Sequence, residues 1–118
     1  MSWRVPLTKL ELSDAEVESA LDAVRSEWLT MGPRTQHLEA AFASYTGSEH
    51  VVAVSSGTAA LHLACLAAGV GPDDEVIVPA MTFVATAHGP RNCGATAVLS
   101  DSVGPLDPTI DPEAVESL

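Results

Sequence analysis

The sequence predicts an α/β fold: an incomplete, mixed but mostly parallel sheet with flanking helices. Three observations predict it. Short, β-branched apolar runs at residues 51–54, 75–78 and 96–99 alternate with helical stretches. Strands separated by helices imply parallel pairing through right-handed crossovers. The chain is 47% hydrophobic but only 4% aromatic, so its core is built from Ala, Val and Leu, as in α/β layer packing.

Size and charge narrow the class. At 118 residues the chain is one domain at most. A net charge of −11 with five basic residues argues against nucleic acid and against anionic membrane surfaces as partners. No apolar run is long enough to span a bilayer, and residues 1–6 lack the apolar core of a signal peptide. Cys65 and Cys93 form no CxxC and lie in apolar helical patterns, which reads as two buried thiols in a reducing cytoplasm.

In chain order, residues 1–12 carry Trp3, Val5, Leu7, Leu10 and Leu12 around Pro6, an extended arm that packs on something else. Ser13 opens a helix, with Glu16 completing a capping box. Val17, Ala20, Leu21, Val24 and Trp28 follow helical spacing until Met31-Gly32-Pro33 breaks it. Thr35 is the expected cap of a second helix, with Leu38, Ala41, Phe42 and Tyr45 on one face and Gly47 ending it. A strand at 51–54 then turns through Ser55-Ser56-Gly57-Thr58 into a helix that ends at Gly69. Residues 69–74 are a turn, 75–78 a strand stopped by Pro79, and 80–92 a loop leading into a helix with Thr82 as cap. A third strand at 96–99 ends near Asp101, residues 102–110 are turn-rich, and Asp111-Pro112 opens a last helix with proline at its first position. That helix runs to Leu118 without a cap, which reads as a truncation; the residues are expected to be the front part of a larger protein.

The turn at 55–58 carries the chemistry. Strand, glycine turn and helix leave free backbone N–H groups and small hydroxyls at the positive end of a helix. That end favours an anion such as phosphate by roughly 0.3–1 kcal/mol from the dipole alone. On local pattern the commoner reading is plainer: Ser55 or Ser56 caps the helix, worth ~1 kcal/mol. Phe83 follows a strand end, where ligands collect in parallel sheets. Stacking on a flat heterocycle and ordinary core packing stand level there.

Other candidates fall away. Asp73-Asp74-Glu75 reads as solvated charge in a turn. Histidines 37, 50, 62 and 88 lack zinc-like spacing, so no metal site is expected. There is no G-x-S-x-G and no G-x-x-x-x-G-K-[ST], and Gly69-Val70-Gly71 follows a helix rather than a strand.

Taken together, the motifs closely resemble one family. Ser55-Ser56-Gly57-Thr58-Ala59-Ala60-Leu61, Gly71-Pro72-Asp73-Asp74-Glu75-Val76-Ile77-Val78-Pro79, Thr82-Phe83-Val84-Ala85-Thr86, Gly94-Ala95 and Ile110-Asp111-Pro112 resemble, in order and spacing, the DegT/DnrJ/EryC1/StrS sugar aminotransferases. Trp28-Leu29-Thr30-Met31-Gly32-Pro33 and Leu38-Glu39 resemble that family's opening segment. The resemblance spans nearly the whole chain. It implies the N-terminal portion of the large domain of a fold-type-I enzyme dependent on pyridoxal 5′-phosphate. Residues 1–33 would be an arm and first helix, and 34–118 the beginning of the cofactor-binding domain. Ser56, Gly57 and Thr58 would bind the cofactor phosphate and Phe83 would stack on its ring.

The implied reaction moves an amino group, from glutamate, to a keto group of a nucleotide-linked sugar, in a cytoplasmic homodimer. Two alternatives stay open: a dehydratase-type relative lacking the Schiff-base lysine, and a non-catalytic dimerisation module. The family's lysine and its acidic partner for the pyridinium nitrogen lie further along. Lys9 and Asp101 match neither position, so no catalytic residue is assigned, and the 118 residues alone are expected to be inactive and either poorly soluble or partly unfolded. The family's sheet also sets the first strand apart from the second and third, so the middle of the sheet is expected to be missing.

Overall fold

A computed structural model describes residues 8–28 and 30–118. The expected arm lies outside the described residues as far as residue 7, as does Leu29 of the opening motif. The chain divides into two units, Met1–Ala53 and Val54–Leu118.

The first unit is helical. Helix α1 (Asp14–Arg25) starts at the predicted capping box. The Ser13 amide donates to Glu16 Oε2 at 2.7 Å, and the Glu16 amide returns a bond to Ser13 Oγ at 3.4 Å. Trp28, expected on the helix, lies beyond it, because the backbone leaves helical geometry at Glu27 (φ 59°). The Trp28 indole donates to the Met31 carbonyl at 3.1 Å. Its ring lies over Gly32 so closely that a Cβ there would be 2.2 Å from Nε1, which only glycine permits.

Helix α2 (Pro33–Thr46) begins two residues before the expected cap. Gly32 is its N-cap and Pro33 its first residue, so Thr35 sits inside the first turn. Proline needs no N–H at that position and fixes the helical φ, so it outcompetes a threonine cap. Arg34 Nη1 donates to Ser19 Oγ of α1 at 3.1 Å. Gly47 ends α2 in the left-handed region (φ 72°), as predicted. Leu38, Phe42 and Tyr45 share one face of α2 and all three are exposed.

Residues 51–54 are not a strand among the described residues. Exposure alternates, with Val51 and Ala53 half-buried and Val52 and Val54 exposed, but no neighbouring strand forms a ladder with them. The Ala53 amide bonds instead to Glu39 Oε1 of α2 at 2.8 Å.

The second unit is α/β. Helix α3 (Gly57–Ala67) leads to β1 (Glu75–Pro79), α4 (Ala85–Asn92) and β2 (Thr96–Ser100). Strands β1 and β2 pair in parallel, from Glu75 opposite Thr96 to Pro79 opposite Ser100. The buried apolar side chains of this unit are few and small, Val78, Ala85, Pro90 and Ala95, in keeping with the aromatic-poor composition. Thr82 does not cap α4; Val84 holds the cap position without a side-chain bond, and the Thr82 and Thr86 hydroxyls share a hydrogen bond at 3.1 Å. Cys93 lies at the C-cap of α4, and both cysteines are half-buried rather than buried.

Residues 102–110, expected as turns, contain an antiparallel hairpin of β3 (Ser102–Gly104) and β4 (Asp107–Ile110). Helix α5 (Pro112–Glu116) starts as predicted, with the Asp111 carboxylate accepting from the Glu113 amide at 2.9 Å.

Candidate functional site

The site is built at the start of α3. Ser56 is the N-cap; its Oγ accepts from the Ala59 amide at 3.1 Å and its carbonyl accepts from the Ala60 amide at 3.0 Å. The capping reading of Ser56 is therefore correct, and it uses an acceptor site of that hydroxyl while leaving its O–H free to donate. Gly57 and Thr58 occupy the next two positions, and among the described residues their amides have no protein acceptor. Those are the orphan donors every helix start presents. Nothing lies within 4 Å of where a Cβ on Gly57 would stand, so the approach to its backbone is open.

Packing places a second helix start beside the first. A Cβ on Gly89 of α4 would sit 3.2 Å from Leu61 Cβ of α3. Four residues further along each helix, the Cys65 and Cys93 thiols are neighbours, and Cys93 Sγ also reaches the His62 carbonyl at 3.8 Å. Equal steps in one direction along both helices mean that α3 and α4 run side by side in the same sense. Their N-terminal ends therefore share one end of the unit.

Phe83 belongs to that end. It lies between Pro79, the last residue of β1, and Ala85, the first of α4. Its carbonyl accepts from the Thr86 amide at 3.0 Å, and its side chain is 77% exposed. Among the described residues the ring is not packed into a core. Because β1 and β2 are parallel, Ser100 ends at the same sheet edge, joined to the loop by a 2.8 Å bond from the Ala80 amide. The structure thus brings Ser56, Gly57, Thr58 and Phe83 to one end, at the carboxyl edge of the strands.

No lysine or arginine of this unit serves that end. Of the five basic residues, only Arg91 belongs to this unit, and it sits in the last turn of α4, at the opposite end. An anion bound here would meet oriented amides, the Thr58 hydroxyl and the helix dipole rather than a cation. The donors fit a phosphate group and an exposed aromatic fits a flat ring.

The other candidates take structural roles. Asp74 Oδ2 accepts from the Gly71 amide at 2.7 Å, closing the turn before β1. Asp101 Oδ1 accepts from the Ser102 amide at 2.8 Å. Lys9 pairs with Glu11 on the surface. No group of three or more His, Cys, Asp or Glu among the described residues could hold a metal ion, and none of the described helices is long and apolar enough to cross a membrane. A cleft between α4 and β2, lined by Ala87, Arg91, Ala95 and Leu99, contains none of the four site residues.

Sequence reasoning passed over Ser100. It is 2% exposed, its Oγ has no partner among the described residues, and it stands where β2 meets the site edge. The signal was a serine closing the apolar run Ala-Val-Leu.

Comparison with known proteins supports the family and the fold. The model of the DegT/DnrJ/EryC1/StrS aminotransferase family matches residues 11–118. A Streptococcus pneumoniae protein assigned as a sugar aminotransferase, Spr1654, is 36% identical in its PLP form, with a TM-score of 0.87 over 98% of this chain and 29% of its own. The same protein matches equally in its PMP form. DesV from S. venezuelae is 39% identical, with a TM-score of 0.76 over 87% of this chain and 28% of its own. The synthase of 3-amino-5-hydroxybenzoic acid is 37% identical, with a TM-score of 0.80 over 91% of this chain and 28% of its own. The chain thus spans under a third of the length of each of these solved structures.

Proposed function

The chain belongs to the DegT/DnrJ/EryC1/StrS aminotransferase family, and from that premise we propose that it supplies the phosphate grip and the ring-stacking face of a pyridoxal 5′-phosphate site. In this reading the Gly57 and Thr58 amides, with the Thr58 hydroxyl, bind the cofactor phosphate. Ser56 holds the helix start in shape through its bond to Ala59. Phe83 covers one face of the pyridine ring. Residues 34–118 are the beginning of the cofactor-binding domain, and residues 1–33 the arm and first helix that precede it.

The observation that carries the reading is the pair of unclaimed amides at Gly57 and Thr58, at the end that also presents Phe83. The bound cofactor supplies an electron sink for amino-group transfer. This chain's own residues fix its anionic tail and the tilt of its ring, which determines which face of the cofactor meets the substrate.

The proposed reaction transfers an amino group, from glutamate, to a keto group on a nucleotide-linked sugar, in a homodimer. Sugar aminotransferases among the similar structures support the sugar as acceptor. The 37% identity to 3-amino-5-hydroxybenzoic acid synthase favours a second reading, in which the product is a carbocyclic amine. Titrating the 118 residues with pyridoxal phosphate tests the part of the reading that they carry. Saturable binding that inorganic phosphate competes away, without the absorbance of an internal aldimine, is expected; no binding would contradict the reading.

A further inference from the structure

We propose that Cys65 and Cys93 form a dithiol across the seam between α3 and α4, which a hydroperoxide closes into a disulfide tying the two helices together. Gly89 lets α4 approach the Leu61 turn of α3 to within contact of its backbone, with Leu61 C only 3.3 Å from a Cβ placed on Gly89. One helical turn further on, Cys65 and Cys93 occupy the same seam, and Cys65 is near enough to act on the Cys93 thiol. The Cys93 thiol lies at the seam: Sγ is 3.8 Å from the His62 carbonyl of α3 and 3.5 Å from the Gly89 carbonyl of its own helix. Both cysteines are half-buried, so a small oxidant reaches them without unfolding.

The roles of the two sulfurs differ. Desolvation, and then the adjacent Cys65, push the Cys93 thiol above its ordinary range, so it supplies little thiolate. Its S–H also donates to the His62 and Gly89 carbonyls, so the proposal gives Cys65 the attacking role and Cys93 the resolving one. The Cys65 thiolate attacks one peroxide oxygen, the O–O bond breaks, and water leaves after protonation, giving a sulfenic acid. The Cys93 sulfur then attacks Cys65 sulfur, the S–O bond breaks, and a second water carries away the hydroxyl with the Cys93 proton. Two thiols are oxidised by two electrons and one hydroperoxide is reduced. The bridge lies in the last turn of α3 and at the C-cap of α4, away from the Gly57 amide. The proposal stands whether or not the cofactor reading holds.

The test is to expose the purified native protein to hydrogen peroxide, block remaining thiols with N-ethylmaleimide, and map the peptides by mass. The expected result is a cross-linked pair containing Cys65 and Cys93, lighter by two hydrogens than the reduced peptides and restored by a dithiol reductant. In Cys93→Ser, Cys65 should instead stop as a sulfenic acid that dimedone traps. Oxidation of the two cysteines independently in the wild-type protein, with no cross-linked pair, would overturn the proposal. So would a cross-link that forms only after denaturation, and neither result depends on the variant folding.

Discussion

Leu61 and Gly89 hold α3 against α4 so closely that a methyl group on Gly89 would lie 3.2 Å from Leu61 Cβ and 3.3 Å from its carbonyl carbon. That contact sets two helix starts at one end of the unit, and the candidate site is built from what those starts present.

Gly89→Ala should therefore lower stability even though alanine is the better helix former. The added methyl meets backbone at Leu61, which cannot rotate aside. Overpacking of this kind costs about 1–3 kcal/mol, against roughly 1 kcal/mol gained in helix propensity. Thermal or denaturant unfolding of the purified protein reads the balance, and a raised midpoint would show that α3 and α4 do not pack this tightly.

Gly57→Ala should do the opposite for stability. Nothing lies near the new Cβ, so folding should be unchanged or improved by up to about 1 kcal/mol. Cofactor binding should weaken all the same, by about tenfold or 1.4 kcal/mol, because the methyl occupies the open approach to the amide. Paired unfolding and pyridoxal phosphate titrations check this. Equal affinity in the two proteins would mean that the phosphate sits elsewhere.

Phe83→Leu tests the ring. The side chain is 77% exposed, so stability should stay within about 0.5 kcal/mol. Losing an aromatic face should weaken cofactor affinity about 2- to 10-fold, the equivalent of roughly 0.5–1.5 kcal/mol. A Phe83→Tyr protein should recover it. Unchanged binding in the leucine variant would remove Phe83 from the site.

The start of α1 should be sensitive to acid. The Ser13 amide, and then the Ser13 hydroxyl, hold the Glu16 carboxyl below its ordinary range. A carboxyl lowered on folding contributes stability above its unfolded pKa, and that contribution is lost as pH falls through the folded value. Proton exchange at the Ser13 amide should accelerate relative to its neighbours as the solution is acidified below the usual glutamate range. In Glu16→Gln that acid-dependent step should be absent.

Much of this was legible because it is local. Ser13 and Glu16 meet within one turn, and Asp111 reaches Glu113 two residues on, so sequence spacing alone locates both helix starts. Gly47 announces a left-handed end for the same reason. What failed to read depends on partners distant in sequence or on rival local signals. Residues 51–54 have the composition of a strand, but a strand needs a neighbour, and the Ala53 amide finds Glu39 instead. Thr35 looked like a cap until Pro33, two residues earlier, began the helix. Gly104, Pro105 and Pro108 read as turns and hid a short hairpin whose ladder is irregular. At the site, Ser56 was correctly legible as a cap and Phe83 as a residue at a strand end. That both belong to the same end could not be read, because it rests on the parallel packing of α3 and α4.

The central claim, that the Gly57 and Thr58 amides hold the cofactor's phosphate, is tested most directly by amide resonances. Protein labelled with 15N-glycine and 15N-threonine would be titrated with pyridoxal phosphate, and separately with pyridoxal and with inorganic phosphate. The Gly57 and Thr58 signals should move downfield with pyridoxal phosphate and with phosphate, and stay in place with pyridoxal. Saturable binding of pyridoxal phosphate with both signals unmoved would contradict the claim.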